Sequence, residues 1–140
     1  MNRFLIDTHI LLWLIQDDKR LDKNIRENIE YFQHPYYVSV ESLREIVLLQ
    51  LRKKNKLDYP VDKMVSILDE RLITILPTKI NHIRTLEKLP FIDIDGGKHD
   101  DPFDRLLIAQ AIAEKYTLVS ADNKFPRYRE CGLSLLVNSY

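Results

Sequence analysis

The sequence predicts an α/β domain with a central parallel sheet of four or five strands flanked by helices on both faces, and two observations carry that prediction. Short apolar runs alternate along the chain with stretches whose apolar residues recur at helical spacing. Such alternation of strand with helix builds a parallel sheet covered on both sides. The size fits one unit: 140 residues, 45% of them hydrophobic, can bury a sizeable core and leave no room for a second, so one domain is expected over 1–140.

The elements follow in order. Residues 3–6 form a short apolar strand, and Asp7-Thr8 stands between it and a helical run, 10–15, containing Trp13. Ile25, Ile29 and Phe32 recur at helical spacing over 22–32, Pro35 breaks the pattern, and 36–38 reads as the second strand. Ser39 is placed to cap a helix from 40 to about 53, with Leu43, Ile46, Val47 and Leu51 as its buried stripe. Glu41 and Glu45 lie four apart on one face of that helix, and either reads equally as a solvated acid. A turn at Leu57-Asp58-Tyr59-Pro60 precedes a helix over 61–70, then a strand over 72–76 stopped by Pro77, then a helix marked by Ile80, Ile83 and Leu86. Residues 91–101, with Gly96, Gly97 and four aspartates, read as an irregular, mobile loop in preference to a calcium loop, because Gly97 and Lys98 stand where such a loop needs a ligand and its sharp-turn glycine. Strands over 116–119 and 133–137 complete the sheet.

The most informative stretch is His99-Asp100-Asp101-Pro102-Phe103-Asp104-Arg105-Leu106-Leu107-Ile108, where acids crowd the start of a helix that is apolar almost all round. Proline at the first helical position makes Asp101 the N-cap and Asp104 the third helical residue. Asp101 is read as a cap. Asp104 differs, because a helix buried on several sides carries its first turn inward, and a carboxylate there is expensive unless a cation meets it.

Composition removes several functions. Lys plus Arg and Asp plus Glu number 21 each, so no net charge draws the chain to nucleic acid, and a phosphate partner must be held locally. Arg52, Lys53, Lys54 and Lys56 form a basic cluster, read here as a solvated helix end. A single cysteine, Cys131, excludes an internal disulfide and a thiolate metal cluster. The longest apolar run is too short to cross a bilayer, and no signal-peptide pattern precedes the first strand, so a soluble cytoplasmic protein is expected. No Gly-rich phosphate cradle, His-Glu-x-x-His motif or nucleophile-elbow serine is present, and His9, His34, His82 and His99 show neither zinc spacing nor a triad.

Acids remain. In a parallel sheet the loops after the strand carboxyl ends emerge on one edge, where ligands bind. Asp7 and Asp122 sit on that edge, and the helices that begin there bring Asp104 and the Glu41/Glu45 pair. Asp7 is also a plausible helix cap by residue type, and sequence geometry leaves open which acids face the cleft.

Four stretches stand out together: Leu5-Ile6-Asp7-Thr8-His9-Ile10-Leu11-Leu12-Trp13, Ser39-Val40-Glu41-Ser42-Leu43-Arg44-Glu45-Ile46, the acidic helix start extended to Ala111, and Leu118-Val119-Ser120-Ala121-Asp122. In them the chain resembles the PIN-domain ribonucleases, and within these the VapC type of toxin. The stretches come in the family's order and span nearly the whole chain. The resemblance implies that Asp7, Glu45, Asp104 and Asp122 form an acidic quartet holding Mg²⁺ or Mn²⁺, with Thr8 and Ser120 as polar support. It thereby favours Glu45 over Glu41. It also implies cleavage of RNA to 3′-hydroxyl and 5′-phosphate ends by a metal-activated water, a homodimer, and a cognate antitoxin whose tail covers the cleft. Two departures stand out: Arg44 where relatives often have tryptophan, and a longer segment over 91–98.

Two other classes compete. A receiver-like Mg²⁺-binding signalling module shares the architecture, but it needs a phosphoacceptor aspartate ending a central strand, and strand 72–76 ends at Pro77-Thr78-Lys79. A non-catalytic PIN scaffold would not need intact acids.

Overall fold

The structure, a computed structural model, describes residues 2–52 and 58–139. Lys53, Lys54 and Lys56 of the basic cluster, and Leu57 of the expected turn, lie outside the described residues. The elements run β1 (Phe4–Ile6), α1 (Thr8–Gln16), α2 (Lys23–Glu30), β2 (Tyr36–Ser39), α3 (Val40–Leu51), α4 (Val61–Glu70), β3 (Ile73–Leu76), α5 (Ile80–Lys88), β4 (Asp93–Ile94), β5 (Gly97–Lys98), α6 (Pro102–Glu114), β6 (Thr117–Ser120), a 3₁₀ helix (Phe125–Cys131) and β7 (Ser134–Val137).

Five strands form one parallel sheet in the order β3-β2-β1-β6-β7. Side chains alternate across a strand, so the three buried residues of β1 divide between the faces. Phe4 and Ile6 enter a core with Ile10, Leu14, Ile25, Ile46, Met64 and Leu68 from α1 to α4. Leu5 enters the opposite core with Ile108, Leu118, Phe125 and Tyr128. Both faces are covered, which is why the strands read as continuous apolar runs.

Helix starts coincide with the capping residues. Asp7 Oδ1 accepts from Ile10 N at 2.9 Å, Ser39 Oγ from Glu41 N at 3.0 Å, and Asp101 Oδ1 from both Phe103 N and Asp104 N at 3.0 Å. Lys115, at φ 60°, closes α6 in the left-handed conformation. Asp101→Ala is therefore expected to lower stability by about 1 kcal/mol in urea unfolding. A loss several times larger would assign Asp101 more than a cap.

The segment 91–101 differs from expectation. It contains an antiparallel hairpin, β4 with β5, turning through Asp95 and Gly96 at φ 53° and 81°. Positive φ at both central residues is the two-residue turn that suits Asp-Gly. His99 N continues the pairing with a 2.8 Å bond to Ile92 O, so the hairpin delivers His99 to the start of α6. Two smaller differences concern Leu72, which lies outside β3 at φ 56°, and the 3₁₀ helix, which buries Phe125 and Tyr128.

Candidate active site

The sheet order places a switch in winding direction between β1 and β6, because the chain moves outward from β1 to β2 and β3 and then returns to β1's other side. A crevice opens beyond the carboxyl ends of two strands that diverge in this way. Asp7 leaves β1 there and Asp122 follows β6. Asp7 N donates to Val119 O at 3.1 Å, tying the two strand ends together. Asp7 is only 4% exposed, so capping and burial in the crevice are two uses of one side chain. Ser120 stands by both acids: it pulls the Asp7 carboxyl down, and its oxygen accepts from Asp122 N at 3.0 Å.

Asp104 arrives from the first turn of α6. It does not close a capping box; its Oδ2 meets His99 Nε2 at 3.1 Å, and no hydrogen bond to its Oδ1 is present among the described residues. Burial pushes Asp7 up to about 6, Asp122 adding its repulsion against the pull of Ser120, the Ile10 amide and His9. Asp104 is likewise pushed up to about 6, first by burial and then by the charges of Asp101 and Asp122, with His99 opposing. Asp122 thus acts on both acids.

The two glutamates of α3 separate cleanly. Glu41 is engaged on both oxygens, by Arg44 Nε at 2.9 Å and Thr78 Oγ1 at 2.9 Å. Glu45 is half-buried and has no hydrogen bond or ion pair to a described residue. Helix α3 lies against α1 and α6: Thr8 Oγ1 donates to Ser42 Oγ at 3.0 Å, and Arg44 lies 4.8 Å over the Phe103 ring. Arg44 thereby covers an aromatic ring beside Asp104 and adds a cation at the rim. Thr8 acts between helices rather than on an acid.

Among the described residues, no three acid, histidine or cysteine side chains stand close enough to grip a metal ion directly. The donor set nevertheless suits a hydrated Mg²⁺ or Mn²⁺. These ions take oxygen ligands and keep several waters, and in two carboxyls pushed to about 6 the pull of His9 and His99 is outweighed by burial and neighbouring acids.

Behind Asp104 stand residues that the sequence reading passed over. His99 Nδ1 is 2.7 Å from the Tyr128 hydroxyl, and Arg105 Nη1 donates to that hydroxyl at 3.3 Å. Arg105 is buried and also donates to Leu89 O at 2.7 Å and Pro90 O at 3.1 Å. The signal available in sequence was His99 itself, a polar residue two positions before the cap. On the other flank, His9, Trp13, Arg20, Ala121 and Asp122 line a cavity of about 270 Å³. There the Arg20 guanidinium sits 5.1 Å over Trp13 and pairs with Asp18 at 2.8 Å.

A domain with this sheet order and an acidic crevice at the winding switch matches the family model described as PIN domain over residues 4–130. The chain belongs to the PIN domain family. Among solved structures, it is similar to a chain of VapBC2 from Rickettsia felis, bound to a DNA fragment from their promoter, with TM-score 0.67, 22% identity and coverage of 98% of this chain and 99% of that one. It is also similar to DNA-bound VapBC from Salmonella typhimurium, with TM-score 0.63, 14% identity and coverage of 99% and 100%. VapBC-1 from nontypeable Haemophilus influenzae gives TM-score 0.58, 15% identity and coverage of 96% and 97%. At these identities the likeness is one of fold. The search of curated proteins returned no match. No described helix is long and apolar enough to cross a membrane.

Proposed function

We propose that the crevice is the active site of a metal-dependent endoribonuclease of the VapC type, the toxin of a type II toxin-antitoxin pair working in the cytoplasm. The observation that carries this reading is the pairing of the buried Asp7 with the half-buried Asp104, both pushed to about 6 in the field of Asp122. Acids assembled at such cost are suited to a divalent cation. Asp7 and Asp122 are assigned as direct ligands of Mg²⁺ or Mn²⁺, with Asp104 and Glu45 binding it directly or through water. The bound ion would supply an acidified water for attack on phosphorus and neutralise charge growing on the phosphate oxygens. Ser120 fixes the Asp122 loop, the Asp7–Val119 backbone bond ties the end of β1 to β6, and the Thr8–Ser42 bond fixes α3, which carries Glu45, against α1.

RNA must approach a crevice that repels it, so the cations beside it matter more than the molecule's zero net charge. Arg20, which lines the cavity next to Asp122, is placed to take a phosphate flanking the cut. Arg20→Gln is expected to weaken binding of single-stranded RNA about tenfold (about 1.4 kcal/mol). It should also flatten the dependence of log affinity on log salt by about 0.7. Fluorescence anisotropy across a salt series checks both, and an unaltered slope would take Arg20 off the RNA path.

The VapBC complexes that share this fold support a further part of the proposal, a cognate antitoxin; a homodimeric toxin is proposed on the family resemblance alone. The deciding experiment incubates purified protein with structured RNA and Mg²⁺ or Mn²⁺. Cleavage leaving 3′-hydroxyl and 5′-phosphate ends, stopped by a chelator, is expected. Metal binding without cleavage would favour a PIN scaffold instead.

A further inference from the structure

Asp104 meets a buried histidine that is itself held from behind, and proton bookkeeping along that chain has one consistent solution. Arg105 only donates, so the Tyr128 oxygen accepts from Nη1 at 3.3 Å. Burial raises the Tyr128 hydroxyl above its ordinary value, so it keeps its proton, and the acceptor it meets is His99 Nδ1 at 2.7 Å. With Nδ1 accepting, the imidazole proton lies on Nε2 and points at Asp104 Oδ2, 3.1 Å away. The opposite tautomer fails on two counts. It would leave the Tyr128 O–H without an acceptor, and it would aim the Nε2 lone pair at a carboxylate oxygen.

The chain is anchored at each step. Arg105 is pinned by the carbonyls of Leu89 and Pro90 and lies 4.0 Å over the Phe91 ring. Tyr128 is fully buried on the 3₁₀ helix, and His99, 7% exposed, is fixed through its backbone by the bond to Ile92 O. A group whose tautomer and ring plane are set in this way orients the carboxylate it touches.

We propose that His99 is a positioning residue for Asp104. Held as the Nε2–H tautomer by Tyr128 and Arg105, it fixes Oδ2 and reserves Oδ1 for the ion. The assignment rests on the metal-dependent reading of the crevice. It adds a role to the hairpin β4–β5, which brings His99 to this place.

Two measurements test it. Imidazole ¹⁵N NMR of the full chain at pH 8 is expected to show His99 protonated on Nε2 alone, and Tyr128→Phe, which keeps the buried ring and leaves only Asp104 holding the tautomer, is expected to raise the Nδ1–H population. A protonated Nδ1 in the wild-type chain, or an unchanged tautomer in Tyr128→Phe, overturns the proposal. Calorimetric Mn²⁺ titration is the second. His99→Leu is expected to bind the ion about 10–100-fold more weakly, whereas His99→Gln, whose amide N–H can stand in for Nε2–H, recovers most of the affinity. Equal affinity in all three chains overturns the positioning role. A wild-type chain that binds Mn²⁺ but cuts no RNA overturns the nuclease reading and leaves His99 supported. A wild-type chain that binds no Mn²⁺ overturns both.

Discussion

Asp7→Asn is expected to lower RNA cleavage by about 10³-fold or more while making the metal-free protein more stable. The first effect follows from removing a charged oxygen where positive charge must be held. The second follows from the cost of burying that charge. Asp7 is held at about 6 against an ordinary 3.8, so near neutral pH its ionised form costs the fold on the order of 1–3 kcal/mol. Asparagine keeps the cap, because its carbonyl can accept from Ile10 N as the carboxylate does, and its amide can donate to Ser120. Urea unfolding and a cleavage assay on the same preparation separate the two effects. A destabilised, fully active variant would make capping the whole role of Asp7.

The metal-free protein is expected to lose stability as pH rises from about 4 to 7.5, and Mn²⁺ is expected to restore it. A carboxyl whose folded pKa is raised binds its proton more tightly in the native state. Its penalty is therefore absent below the unfolded value of 3.8, grows through about 6, and is complete above that. Asp18, held down at about 2 by Arg20, works in the opposite sense, but only at lower pH. Mn²⁺ at about 100 times its Kd adds about 2.7 kcal/mol. Near pH 6, where Asp7 and Asp104 are each about half protonated, ion uptake should expel about one proton. Calorimetry in two buffers of different ionisation enthalpy reads that release, which should vanish by pH 8. No release at pH 6 would mean that the ion binds elsewhere.

Much of this architecture is legible in the sequence because the chain marks its own helix starts. Asp7, Ser39 and the Asp101-Pro102 pair stand where α1, α3 and α6 begin, and the short apolar runs become the strands of a sheet buried on both faces. Topology alone then gathers Asp7, Asp104 and Asp122 at one edge. The illegible parts depend on distant partners. Glu41 and Glu45 share a helix face, and Glu41's engagement depends in part on Thr78, 37 residues on. The partner of His99 is Tyr128, 29 residues away on a 3₁₀ helix without helical periodicity. The hairpin was missed for a different reason: strands of two residues are too short for any pattern, and the Asp95-Gly96 turn is their one local mark.

The pairing of β1 with β6 has a consequence for a chain still emerging from the ribosome. Ile6 lies beside Val119, so the crevice joins residue 7 to residue 122. A nascent chain that has not yet delivered β6 lacks both the wall bearing Asp122 and the serine that stands by Asp7. The crevice therefore exists only once β6 has paired with β1.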